Sequence, residues 1–110
     1  MNQAMSRIVY PKFPDTLTEN DLARLFSVSY EDERWAFTIA RRGPSLSVLL
    51  THMEVSQHLG RFLGIADLPK AAMGFIGKRF GIEVPGAFDY DRRTLYRHHR
   101  AIRKHLGITP

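Results

Sequence analysis

The sequence predicts an all-α domain: a single compact bundle of about five helices with an extended N-terminal arm. Three observations carry this expectation. Capping residues followed by apolar residues at spacings of three and four recur along the chain. Glycine or proline marks where these segments open or close. No two segments alternate apolar and polar residues as a convincing strand pair would. At 110 residues, 44% hydrophobic and 25% charged, the chain has the size and composition of one ordinary globular domain.

Residues 1–16 place Pro11 and Pro14 beside the aromatics Tyr10 and Phe13. Proline lacks an amide donor and biases its predecessor toward extended geometry, so this stretch reads as an arm, with Tyr10 and Phe13 pinning it to the core. The helical domain then occupies residues 17–110. Thr18 and Asp21 have capping-box spacing, and Leu22, Leu25 and Phe26 share one face of a short helix that ends near Phe26. Ser29 caps a second helix whose first turn holds Glu31, Asp32 and Glu33, acids that complement the positive end of the helix dipole. That helix is expected to run to Arg41 and Arg42, with Gly43 as its stop. Trp35, Ile39 and either Phe37 or Ala36 face inward.

Pro44 suits the first turn of a third helix, which carries Leu46, Val48, Leu49, Leu50 and Met53 and closes around Leu59 and Gly60. Its apolar surface is wide enough to make it the central core helix. Residues 61–68 form a loop. Pro69 opens a fourth helix that runs through Phe80 and stops at Gly81, with Ala72, Met73 and Ile76 at helical spacing. A connector containing Pro85 and Gly86 leads to the last helix, which begins near Asp89 or Asp91 and ends at Leu106 with Gly107 as its cap.

Net charge is +5, and its location matters more than its size. Residues 1–88 hold 10 Lys+Arg against 9 Asp+Glu, whereas residues 89–110 hold 6 against 2. Nearly all the excess lies on the last helix. At 100° per residue, Leu95, His99, Ile102 and Leu106 fall within about 60° of one another, a narrow docking stripe. Arg93, Arg97, Arg100 and Lys104 lie opposite. Arg92, Arg103 and Tyr96 occupy one flank, and His98 and His105 the other. Four cations on one row repel by about a few tenths of a kcal/mol per neighbouring pair, and no acid lies between them. An unrelieved row beside an aromatic suits a phosphate backbone, where cations release counterions and arginine grips phosphate bidentately. The bland alternative is a basic face kept for solubility.

Other chemistries find little purchase. There are no cysteines, so neither disulfides nor thiolate chemistry enters. The five histidines form no His-x-x-x-His pair; His98 and His105 lie nearly two turns apart, and His99 reads as a hydrogen-bonded core residue. No metal, cofactor or catalytic centre is expected. Phosphate-binding loops, nucleophile elbows and apolar-buried carboxylate pairs are absent from the sequence, and capping accounts for Asp89 and Asp91. No apolar run approaches the roughly 20 residues of a membrane span, and residues 1–13 lack a signal-peptide core, which leads to the expectation of a cytoplasmic protein.

Several segments in order resemble the N-terminal domain of the replicative transposases of the Tn-three type. They are Leu25-Phe26-Ser27-Val28-Ser29-Tyr30-Glu31-Asp32, then Arg41-Arg42-Gly43, then Gln57-His58-Leu59-Gly60-Arg61-Phe62. The proline-led helix from Pro69 to Phe80 with Gly81-Ile82 follows, and last Thr94, Tyr96, His98, Ile102, Leu106 and Gly107. The chain departs from that family at Ser45 and Leu46, where an Asn-Arg pair is common, and near Arg97 and Ala101, where Glu is frequent. The resemblance implies a bacterial mobile-element protein acting in DNA recombination, whose N-terminal region helps bind the terminal inverted repeats. It implies too that the metal-dependent strand-transfer centre lies in downstream domains of a longer polypeptide, this chain being a fragment.

The combined expectation is a DNA-binding domain that contacts double-stranded DNA through Arg93, Arg97, Arg100 and Lys104, with Arg92, Arg103 and Tyr96 alongside. Arg41, Arg42, Lys78 and Arg79 are secondary candidates. Two rivals remain: a helical protein-interaction module docking on an acidic partner, and a stand-alone regulator of phage or plasmid type.

Overall fold

Each helix of the domain is set by signals within its own few residues, and the computed structural model places them around one buried helix. The structure describes residues 13, 16–40, 43–63, 67–83 and 91–107. Among these are five α-helices and no strand: α1 (Glu19–Leu25), α2 (Tyr30–Ile39), α3 (Pro44–Leu59), α4 (Lys70–Arg79) and α5 (Arg92–Leu106). The domain is all-α, as the periodicity predicts. Most of the arm expected over residues 1–16, Tyr10 included, lies outside the described residues. Phe13 is described, and its ring meets Phe26 at 5.4 Å and His58 at 6.4 Å.

α1 has a complete capping box. The Asp21 amide donates to the Thr18 hydroxyl at 3.1 Å and the Thr18 amide to the Asp21 carboxylate at 3.0 Å. That backbone donor, more than any charge, holds the Asp21 carboxyl below the usual carboxylate range. α2 is capped by Ser29, whose hydroxyl accepts from the Asp32 amide. This helix ends at Ile39, short of the expected Arg41 and Arg42. The cap residue Ala40 is extended at φ −136°, ψ 97° and buried, and the Thr38 hydroxyl donates to the Trp35 carbonyl, loosening the last turn. Gly43, at φ 77°, is consequently not the stop of α2. It is the N-cap of α3, directly before Pro44 at the first helical position.

α3 is the core. Twelve of its residues, from Leu46 to Leu59, are buried, Ser47, Thr51, His52, Glu54 and Ser56 among them. It packs against α2, α4 and α5, while α1 packs against α4. Two buried hydroxyls on α3 find carbonyl partners: Thr51 donates to the Ser47 carbonyl, and Ser47 donates across to the Met73 carbonyl of α4. α4 closes with a Schellman turn, the Ile82 amide bonding to the Gly77 carbonyl at 2.7 Å and the Gly81 amide to that of Lys78. Gly77 has no room for a side chain, since a Cβ there would lie 2.7 Å from the Ile82 carbonyl oxygen. Among the described residues no helix is long and apolar enough to cross a membrane.

Candidate nucleic-acid interface

α5 begins at Asp91, whose carboxylate accepts from the Arg93 amide, and ends at Gly107 in the left-handed conformation. Its last turn carries the cations Arg103 and Lys104, which suit the negative end of the helix dipole, and beside them His105. Only three aliphatic residues larger than alanine, Leu95, Ile102 and Leu106, give it an apolar stripe. Histidines widen that stripe.

The buried face of α5 is centred on Ile102 and His98, both fully excluded from solvent. This corrects the expectation that His98 lies on a polar flank. Desolvation, reinforced by the neighbouring His99, pushes the His98 pKa down to about 4, so its ring packs as a neutral group at pH 7. The correction has a geometric cause. His98 and Ile102 are four residues apart, hence on one face, and the docking axis passes between them rather than through His99.

Two further histidines clamp the edges of the helix. On one side, the His105 ring lies parallel to Trp35 of α2, with centroids 4.3 Å apart and planes 12° off. Its Nε2–H donates to the Asp32 carboxylate at 2.8 Å. On the other side, His99 stacks on Phe62 at 4.2 Å and meets His52 of α3 edge-on at 5.1 Å. The buried Nε2 of His99 has no hydrogen-bond partner among the described residues, and ring contacts hold this side of the residue. His52 is likewise neutral, its pKa lowered to about 3 by desolvation and then by His99 and His98. Among the described residues no three His, Asp or Glu side chains are placed to hold a metal ion.

With both edges fixed, the rest of α5 faces outward in one orientation. Arg93, Arg97, Arg100 and Lys104 are exposed, as are Arg92 and Tyr96, the latter with 65% of its surface open. Arg103 is half-buried, its guanidinium carbon 4.9 Å above the Phe62 ring. No described carboxylate pairs with any of these six cations; Asp21, Asp32, Glu33 and Glu54 form ion pairs elsewhere. From Arg93 to Lys104 the ridge extends about 16 Å at 1.5 Å per residue.

The secondary candidates fare differently. Lys78 is exposed at the end of α4. Arg79 is engaged: it donates to the Glu33 carboxylate of α2 at 3.3 Å and lies over Phe80. Arg41 and Arg42 lie outside the described residues. Phe62 was not among the sequence candidates. A lone aromatic in a loop gives no signal of its contacts, and only the fold brings it beside α5. The exposed Arg61 precedes it in that loop.

A family model described as a domain of unknown function (DUF4158) matches residues 3–110. No curated protein matches the chain, and no solved structure does.

Proposed function

We propose that this chain, which belongs to the DUF4158 family, is a double-stranded-DNA-binding domain that lays the exposed face of α5 on the sugar–phosphate backbone. One observation carries the reading: an outward row of Arg93, Arg97, Arg100 and Lys104, unrelieved by any described carboxylate, on a helix whose other face is fixed to the core. Phosphates accept any well-placed cation, whereas base readout needs particular geometry, so backbone contact is the primary claim. Arg92 and Arg103 extend the field on one flank, and Tyr96 offers the face its one aromatic ring.

In its finer form the proposal gives this domain to a replicative transposase of the Tn-three type, acting in the cytoplasm. There it would help recognise terminal inverted repeats while other parts of the polypeptide carry the chemistry. The ordered motifs from Leu25 to Gly107 support that assignment.

The test is a titration of the chain against a labelled DNA duplex at several salt concentrations. The logarithm of the affinity should fall linearly with the logarithm of salt, with a slope of about −0.9 per phosphate engaged. Affinity independent of salt would end the proposal. Binding to an acidic protein with no retention of DNA would instead favour the interaction-module reading.

A further inference from the structure

Of the cations on α5, Arg103 alone has an aromatic ring beneath it among the described residues. That ring, Phe62, is not loosely placed. It stacks on His99, and His99 in turn meets His52, which is 1% exposed on the central helix α3. A column of rings therefore runs from the core to the surface through His52, His99 and Phe62, and ends in a guanidinium. Desolvation keeps His52 and His99 toward their neutral forms, and the charge of Arg103 adds to the effect at His99. Neutral rings stack without charge repulsion from the arginine above them.

We propose that Phe62 is a positioning residue for DNA binding, holding the Arg103 guanidinium at the edge of the cationic face so that it meets a phosphate already ordered. The inference rests on the DNA-binding reading of α5. A long arginine side chain loses several rotatable bonds' worth of freedom when it grips a phosphate. Contact through the guanidinium face removes much of that freedom beforehand, while the in-plane N–H groups remain available for a bidentate grip. Among the described residues the exposed Arg92, the other cation of that flank, has no such ring beneath it, so Arg103 should give the more favourable phosphate contact of the two.

The experiment is a double-mutant cycle on the 110-residue chain, using Phe62→Leu, Phe62→Trp, Arg103→Gln and the Phe62→Leu/Arg103→Gln pair. The probe is a fluorescein-labelled duplex of mixed sequence, titrated across salt. Phe62→Leu should weaken binding about two- to five-fold, the range a partly exposed cation–aromatic contact supports. Phe62→Trp should retain wild-type affinity. In the Arg103→Gln background, Phe62→Leu should do nothing further. A loss equally large in that background overturns the proposal, and so does a Phe62→Leu variant that binds as the wild type does. Wild-type chain without salt-dependent binding would instead remove the DNA reading itself. Should the leucine variant fail to fold, relaxation of the Arg103 Nε–H group in the wild-type chain decides: order clearly above that of Arg97 supports the proposal, and equal mobility overturns it.

Discussion

Arg97 and Arg100 sit a turn apart on the outward side of α5, and neither is neutralised by a described carboxylate. Replacing either by alanine removes one cation from the ridge and nothing from the core. Each substitution should therefore reduce the salt slope of DNA binding by about one unit and leave the melting temperature unchanged. Tyr96→Ala is expected to behave differently. Its ring carries no charge, so affinity should fall while the slope stays constant, a distinction visible in the same titration. Gly77 makes the opposite kind of statement, about stability alone. A Cβ there would press on the Ile82 carbonyl oxygen at 2.7 Å, and backbone cannot swing aside as a side-chain tip does. Gly77→Ala should cost about 1–3 kcal/mol in urea denaturation, through overpacking where α4 turns back.

At the scale of an element, α5 is an amphipathic helix whose docking relies on few aliphatic contacts. Ile102 is fully buried at the centre of that face, and Ile102→Ala should cost about 2–5 kcal/mol. DNA binding should fall with it, because an undocked α5 no longer presents its cations as one rigid row. Comparing urea midpoints with DNA affinity separates this variant from the arginine variants, which should change affinity only. The local punctuation of α1 and α4 is readable from sequence because caps and Schellman turns depend on residues a few positions apart: Thr18 with Asp21, Gly77 with Ile82. The end of α2 is not, because Ala40 is buried and leaves helical geometry there, and no capping residue in the local sequence announces it.

Across the whole molecule, the buried histidines couple folding to pH. His52 titrates near pH 3 and His98 near pH 4 when folded, against an ordinary 6.5 when the chain unfolds. Between those values the unfolded state binds more protons, so acidification favours unfolding. Stability is complete above about pH 7 and is lost as pH falls toward 4, by roughly 1 kcal/mol per histidine at pH 5.5. Urea midpoints measured from pH 7.5 to 5 should therefore decline, and His98→Gln should flatten the decline by one histidine's share. His99 on α5 shares this desolvated cluster, and Arg103 adds to its reluctance to charge. Acid should accordingly strike first at the α3–α5 contact.

By itself the sequence determined the helical class, most of the helix ends that carry glycine or a capping side chain, the central place of α3 and the outward face of α5. These follow from interactions within a turn or two of the chain, where spacing and residue type suffice. Only the tertiary structure decided that His98, expected on a flank, meets the core, that Arg79 is engaged by Glu33, and that Phe62 lies under Arg103. The physical reason is range. Burial of an amphipathic ring, an ion pair across 46 residues and a column of ring contacts from three segments are properties of surfaces brought together by packing, and no local pattern encodes which surfaces meet.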